Sequence, residues 1–425
     1  MKKIITPVKG TRDFYPEQMA IRNWLYNTVR SVSESFGYQE WDAPFLETLN
    51  LYAAKSGDEL VKKQSYVFTD RGGDEIALRP ELTPSLARMI AARQNELVFP
   101  ARWWSFGPFW RYERPGRGRS REFFQWNIDM LGTSSPEADA ELVAVAAAFL
   151  KAVRLSPNQS RIYVNDRRFM DSEFDNLEIS AGIKREVSGL VDRRSKMDSN
   201  SWETSAMEIG LTSRQLDGLI SLLNDKERWQ KSGELVRFFD TLESLGIKEY
   251  VQFDPNIVRG LLYYTGTVFE AFDIGGDVRR AILGGGRYDN LLRDVGGEPL
   301  PCVGFAMGDV VINLILNELG LIPSLPAVPA EVLVTVFSQD LLLASYSLAS
   351  DLRQDGLNVI CFPEPAKLPR QFKFADRMGM NVVLVLGPDE AAAGKVTLKN
   401  LKTGTQEAIA RSKINKSIRL ILENH

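Results

Sequence analysis

Between Trp110 and Glu122 the chain sets Arg111, Arg114, Arg117, Arg119 and Arg121 against a single acid, Glu113. A guanidinium is always charged and offers a rigid fork of donors that matches carboxylate or phosphate. The cluster reads two ways at this point: a grip on an anionic substrate, or a solvated basic loop, which charge runs usually are. A further arginine, Arg259, stands ahead of Gly260 and the aromatic pair Tyr263 and Tyr264. Glu81, Asp129 and Glu270 supply carboxylates on other stretches. Arginines that hold carboxylate and phosphate, with acids that hold an ammonium group or magnesium, suit a zwitterionic substrate plus a polyphosphate. Phosphoryl or nucleotidyl transfer needs mostly positioning and charge neutralisation, which arginine provides without histidine.

Histidine is in fact scarce: the 425 residues contain one, His425, at the last position. Chain termini usually fray, so histidine is no candidate for base, nucleophile partner or buried metal ligand. Cys302 and Cys361 are far apart and lack metal-ligand spacing. Zinc hydrolysis and Ser-His or Cys-His mechanisms are close to excluded, and no zinc is expected. The cysteine usage points to a reducing, cytoplasmic setting. A net charge of -3 gives no global attraction to nucleic acid, so any such contact rests on local basic patches. The opening MKKIITPVKG is followed by no long apolar core, and no run approaches the roughly 18 apolar residues of a spanning helix. Neither a secretory signal nor a membrane partner is expected.

The elements that must position these residues follow from pattern. The arginines lie between WWSFGPFW, residues 103–110, and EFFQWNIDML, residues 122–131. Both runs are too short for independent helices and rich in aromatics. They read as antiparallel strands joined by a long mobile loop, kept irregular by Pro115, Gly116 and Gly118. Arg111 and Gln125 then fall on strand residues flanked by aromatics and point into a walled cavity. Upstream, Pro16 opens a helix with Ile21, Trp24, Leu25, Val29, Val32 and Phe36 on its apolar face, and Gly37 ends it. YQEWDAPFLE is strand-like with a break at Pro44. A hairpin follows around Asp70–Asp74. Glu81 and Thr83 sit where its second strand gives way to a helix, and Thr83 before Pro84 fits an N-cap. Downstream, an alanine-rich helix runs from Pro136 to Val153. The polar, helical run over about 165–243 reads as an inserted subdomain. Strand propensity returns over Tyr250–Phe253 and Tyr263–Phe269. Gly284, Gly285 and Gly286 then read equally as backbone packed against a ligand or as a tight turn. A glycine turn at Gly308 precedes an apolar helix.

LIPSLPAVPA, residues 321–330, holds three prolines among small residues and reads as a linker. Beyond it strands alternate with helices, which implies a parallel or mixed sheet. Lys367, Arg370, Lys373 and Arg377 gather on the second of these helices, as an RNA-facing patch or as solvated surface. The expected fold class is an α+β domain built on a mostly antiparallel sheet with flanking helices over 1–325, carrying the helical insert, followed by an α/β domain with a mixed sheet over 326–425.

Several of these stretches together carry a resemblance. FWRYERPGRGRSREFFQ is similar to the second motif of class II aminoacyl-tRNA synthetases. RGLLYYTGTVFE and GGGRYDNLL resemble stretches peculiar to the histidyl-tRNA synthetase family, and LRPELTP, GTRDFYP, KLPRQFKFADRMG and GKVTLKNLKTG match it too. The resemblance covers nearly the whole chain and is weakest in the insert. It implies ATP-dependent ligation of L-histidine to tRNA(His) through a histidyl-adenylate, with magnesium accompanying ATP, a homodimer formed around Pro44, and an anticodon-binding last domain. Carried over residue by residue, it implies that Arg111 and Arg259 act catalytically on the α-phosphate. Histidine would be held by Glu81, Thr83, Arg111, Gln125, Asp129, Arg259, Tyr263, Tyr264 and Tyr288. ATP would be bound by Arg111, Glu113, Arg119, Arg121 and Phe123, the last stacking on adenine. Arg114, Arg117, Lys367, Arg370 and Lys373 would meet tRNA.

The chain departs from the family pattern at four places. Val311 stands where an arginine commonly packs on ATP, Leu262 where an aspartate is frequent, and Phe124 where a histidine is frequent. Gly116 replaces a polar residue of the tRNA-facing loop. Val311 leaves one alternative in view: a non-charging, histidine-binding relative that acts as a regulatory subunit of histidine biosynthesis. The two arginines and the last domain argue against it.

Overall fold

The computed structural model describes residues 4–53, 63–258, 263–276, 280–325 and 328–423. They fall into two compact units, Met1–Asp13 with Trp24–Ile322 and Phe14–Asn23 with Pro323–His425.

In chain order, α1 (Pro16–Ser35) leads into the short strands β1 (Gln39–Glu40) and β2 (Leu46–Thr48) and a single helical turn α2 (Leu49–Ala53). Strands β3 (Tyr66–Thr69) and β4 (Glu75–Leu78) form the expected hairpin, followed by α3 (Thr83–Arg93). Then come the long strands β5 (Ala101–Trp110) and β6 (Glu122–Leu131), helix α4 (Pro136–Ala152) and strand β7 (Ser160–Asp166). Helices α5 (Arg167–Asn176), α6 (Lys184–Arg193), α7 (Ser199–Ile209), α8 (Ser213–Asn224) and α9 (Gly233–Ser244) intervene before β8 (Val251–Phe253), β9 (Thr267–Asp273), β10 (Ala281–Tyr288), β11 (Cys302–Gly308) and α10 (Asp309–Glu318).

The main sheet has the order β1-β5-β6-β11-β10-β9-β7-β8. Only its two outer pairs, β1 with β5 and β7 with β8, are parallel. The expected class, a mostly antiparallel sheet with flanking helices, is the one observed. Side chains alternate between the faces of a strand, and this sheet uses the alternation to separate stability from chemistry. On β6, Trp126, Ile128 and Met130 join the main core with Leu142, Val145 and Phe149 of α4. Phe123, Gln125, Asn127 and Asp129 therefore belong to the opposite face. Helix α4 starts as its sequence requires, with Ser135 Oγ accepting from Ala138 N at 3.2 Å. Its first turn also anchors the sheet: Arg287 of β10, fully buried, donates to Asp139 at 2.5 Å and to the Thr133 carbonyl at 2.8 Å.

Several local expectations are corrected. The three glycines are not a turn but lie inside β10, paired on both sides. Strand β9 begins at Thr267, so Tyr263 and Tyr264 precede it instead of belonging to it. Helix α3 begins on Thr83 with Leu82 in the cap position and no side-chain cap, so the Thr83 hydroxyl does not serve as the N-cap. The loop after β5 is folded back on itself, with Gly116 and Arg119 exchanging backbone hydrogen bonds of 2.9 and 3.0 Å. Gly118 makes that turn possible at φ +73°. The helices over 165–243 do not pack as one body. One separate core runs from Met170 to Leu223, whereas Leu235, Phe238, Phe239 and Leu242 of α9 pack into the main core.

The second unit carries strands β12 (Val332–Val334), β13 (Val359–Cys361), β14 (Val382–Val385), β15 (Lys395–Asn400) and β16 (Gln406–Ala410). Helices α11 (Leu342–Gln354), α12 (Leu368–Arg377), α13 (Pro388–Ala392) and α14 (Ile414–Glu423) accompany them. Its sheet has the order β13-β12-β14-β15-β16, parallel over the first three strands and antiparallel thereafter. It is the mixed sheet expected from the alternating pattern. No helix among the described residues is long and apolar enough to cross a membrane.

Candidate active site

A cavity of about 260 Å³ opens on the face of the main sheet away from α4, lined by Arg111, Glu113, Arg119, Phe123, Gln125, Glu270, Arg280, Gly284, Ala306 and Val311 among others. Its floor is a row of in-register residues. Ala306 on β11 pairs with Asn127 on one side and Gly284 on the other, and Gly284 pairs with Glu270.

Arg111 lies one residue beyond β5, not within it, yet it is held. Its N–H donates to the Arg121 carbonyl at 2.9 Å. Its Nε donates to the Pro80 carbonyl at 2.9 Å, and its guanidinium lies 5.3 Å from the Phe123 ring. Glu81 follows Pro80 directly and Thr83 starts α3, so the segment after β4 is brought to Arg111. Phe123 stacks on Phe109 of the neighbouring strand, with centroids 5.9 Å apart and planes 24° from parallel. Glu113 and Arg119 pair at 2.5 Å on the cavity wall.

The other loop arginines are placed differently. Arg121 is not among the lining residues. It donates to the Glu113 carbonyl at 3.1 Å and lies 4.1 Å from the Tyr112 ring. Arg117 pairs with Glu318 at 2.6 Å, and Arg114 is exposed. Arg259 lies outside the described residues, as do Leu262 and Gly260. In the second unit Lys367, Arg370 and Lys373 are exposed at and along α12, and Arg370 pairs with Glu364 at 3.3 Å.

One register step along the same face, about 7 Å from the cavity floor by strand rise, lies a drier corner. Asp129 pairs in register with Gly304, and Gly304 with Gly286. A side chain on Gly304 would come within 2.0 Å of Asp129 Oδ1, and one on Gly286 within 2.9 Å of the Tyr264 ring. These glycines therefore leave the floor open so that a carboxylate and a phenol ring can lie flat upon it. Tyr288 donates to Asp129 Oδ1 at 2.5 Å. Tyr263 sits between the other two phenols, 4.8 Å from Tyr264 and 6.0 Å from Tyr288 by ring centroids. Burial pushes the Asp129 carboxyl up to about 7, against the Tyr288 hydrogen bond, and burial likewise drives the Tyr288 phenol well above its usual value. The corner thus holds an acid poised near neutrality beside two further phenols.

Sequence reasoning passed over two features. Arg280 stands on the cavity wall, where a side chain on Gly118 would meet both its Cδ, at 3.0 Å, and Val311, at 3.5 Å. Asp309, buried at the start of α10, accepts from Phe124 N and from Arg12 Nη2, each at 2.8 Å. It ties the opening GTRDFYP segment to β6, and Gly10 reinforces this by accepting from Arg121 N at 2.7 Å. Only the unusual acid directly after Gly308 hinted at it. Replacing Arg12 with methionine should leave Asp309 buried with less compensation. Because Arg12 is partly exposed, the expected loss is about 1–2 kcal/mol of unfolding free energy, read as a lower urea midpoint at unchanged slope. An unchanged midpoint would show that the pair contributes nothing.

The cavity, the acid corner and the arginine loop share one sheet face. The family model described as histidyl-tRNA synthetase matches residues 10–309, and one described as an anticodon binding domain matches residues 331–420. The chain belongs to the histidyl-tRNA synthetase family. A histidine--tRNA ligase of Thermoplasma volcanium is 39% identical over 418 residues, covering 95% of this chain and 96% of its own. One of Leptospira biflexa is 35% identical over 412 residues, covering 94% and 93%. The crystal structure of histidyl-tRNA synthetase from Nostoc sp. PCC 7120 superposes with a TM-score of 0.84 at 28% identity, over 99% of both chains.

Proposed function

We propose that this chain is a histidine–tRNA ligase that activates L-histidine with ATP and transfers the histidyl group to tRNA(His). The observation that carries the reading is the pairing, on one sheet face, of the arginine-walled cavity with the Asp129–Tyr288 corner. The first suits a nucleoside polyphosphate and a carboxylate. The second suits a small ring with one donor and one acceptor nitrogen, which an acid and a phenol complement.

The substrate carboxylate attacks the α-phosphorus of ATP, forming the acyl–phosphate bond of histidyl-adenylate and expelling pyrophosphate. The terminal ribose hydroxyl of the tRNA then takes the histidyl group and AMP leaves. Arg111 bridges the carboxylate and the α-phosphate, and Arg259 is assigned the opposite side of that phosphate from the family motif. Phe123 faces adenine, already stacked on Phe109. Arg280 supplies a cation on the wall beside Val311, where the family pattern carries an arginine. Glu81, Thr83 and Gln125 take the α-amino end, Glu113 and Arg119 take the rest of ATP, and Arg121 is assigned to ATP from the family motif alone. Glu113 and Glu270 are the cavity carboxylates that magnesium travelling with the phosphates can use. Arg114 and Arg117 meet the acceptor end of the tRNA, and Lys367, Arg370 and Lys373 its anticodon region. Residues 1–325 form the catalytic domain and 326–425 the anticodon-binding domain. The exposed Leu46 and Phe68, on one face of the three-stranded sheet β2-β4-β3, offer apolar surface to a homodimer, and the cytoplasm is the expected compartment.

The deciding experiment is isotopic exchange of pyrophosphate into ATP. It should require histidine and magnesium, and the same protein should charge tRNA(His). Histidine binding without exchange would sink the ligase reading in favour of the regulatory relative.

A further inference from the structure

The insert leaves the main sheet at the end of β7, and two of the three residues at that junction hold one particular stretch of chain. Asn165, buried, donates through Nδ2 to the carbonyls of Ile257 at 3.0 Å and Pro255 at 3.2 Å. Asp166 caps α5 by accepting from Phe169 N at 2.9 Å, which fixes the direction in which the next residue leaves. Arg167 N donates to the Gly266 carbonyl at 3.0 Å. The Arg167 guanidinium then donates to the carbonyls of Tyr264 at 2.9 Å and Val258 at 3.2 Å, and lies 5.9 Å from the Tyr264 ring. Five carbonyls between Pro255 and Gly266 are thus satisfied from Asn165 and Arg167. The insert reaches the same stretch from its far side, through Arg194 to Asn256 at 3.0 Å and Asn256 to the Leu223 carbonyl at 2.9 Å.

A plain junction between a strand and a helix does not need a planar fork bonded to two carbonyls six residues apart. Such a fork fixes the separation of those carbonyls because its donors are rigidly related. One of the two belongs to Tyr264, whose ring lies over Gly286 beside the Asp129 corner. We propose that Arg167 is a positioning residue: it sets the Tyr263–Tyr264 turn against Asp129, and so makes histidine recognition depend on how the helical insert is seated. This rests on the reading of that corner as the histidine pocket, but not on catalysis.

The test uses full-length protein and titration calorimetry with histidine, which works whether or not the protein charges tRNA. Arg167→Met should weaken histidine binding by about 10- to 30-fold, as expected for a sub-ångström to ångström misplacement of a recognition group. Affinity for ATP should stay within about 2-fold, and the thermal transition should remain cooperative. Arg167→Lys, which reaches one carbonyl but not both, should recover part of the loss. Asn165→Ser, with Arg167 intact, should weaken histidine binding in the same direction by less. Histidine affinity within about 2-fold of wild type in Arg167→Met overturns the proposal, as does a parallel loss of histidine and ATP binding. If Arg167→Met does not fold, unchanged histidine affinity in both Arg167→Lys and Asn165→Ser overturns it. Wild-type protein that binds no histidine would sink the pocket reading itself, whereas binding without pyrophosphate exchange removes only the ligase reading.

Discussion

Arg111→Ala should lower kcat/KM for histidine-dependent pyrophosphate exchange by about 1,000-fold while leaving the protein as stable as before. The size follows from what the guanidinium is asked to do. Charge gathers on the α-phosphate as the carboxylate attacks, and a preorganised donor at such a site is worth about 3–4 kcal/mol when removed singly. The preorganisation is visible in this chain. Arg111 is set by its backbone bond to Arg121, by its Nε bond to the Pro80 carbonyl and by the Phe123 ring beneath it. These contacts position the side chain without contributing much to folding, because Arg111 lies at the cavity rim and not in a core cluster. Arg111→Lys separates charge from shape. A lysine keeps the charge but presents one ammonium where a fork is required, so most of the loss should persist. Full activity in the lysine variant would mean that Arg111 serves only as a counter-charge. Full activity in the alanine variant would remove it from the mechanism.

Much of this site was legible in the sequence, and the reason is that its elements are short-range. A ten-residue aromatic strand declares itself by alternation, and β5, β6 and the mixed sheet of the second unit stand where pattern put them. The face on which Gln125 and Asp129 lie follows from the same period of two. Pairings across long separations were not legible. Nothing local to Arg12 marks its bond to Asp309, 297 residues away. Nothing in GGGRY distinguishes a turn from a strand whose missing side chains make room for Asp129 and Tyr264. Nothing around Arg287 marked it as a structural anchor, yet its fork is absorbed by Asp139 and the Thr133 carbonyl on the core side. The loop arginines looked alike in sequence but differ in partners, since ion pairs with Glu113 and Glu318 depend on tertiary placement. Arg280 escaped notice because an arginine pair at the start of a strand does not say which of the two faces a site. Its meaning comes from standing next to Val311 in space.

Asp129→Asn should weaken histidine recognition by on the order of 100-fold, because a charge-assisted hydrogen bond in a buried corner is worth about 2–3 kcal/mol. The variant also removes a titration. Desolvation raises the Asp129 carboxyl to about 7, so the group ionises in the range where free histidine, near 6.5, loses its imidazole proton. If the productive pair is a carboxylate facing a neutral imidazole, kcat/KM for histidine requires both groups deprotonated. Between pH 8 and pH 6 it should then fall by about 40-fold in the wild type and by only about 4-fold in Asp129→Asn, where the imidazole alone titrates. A wild-type profile that peaks between the two pKa values would instead mean that the productive pair holds one proton, and the reading with both groups deprotonated would fail. Stability carries the same signature with its own sign. A carboxyl whose folded pKa lies above its unfolded value contributes stability that is complete below the unfolded pKa, near 4, and lost as pH rises through about 7. The asparagine variant has no such loss, so its stability relative to wild type should improve between pH 5 and pH 8 in parallel urea titrations. A corner that costs stability at the pH where it binds its substrate is kept for recognition, and Gly286 and Gly304 beneath it, which forgo side-chain packing for the same purpose, belong to that same bargain.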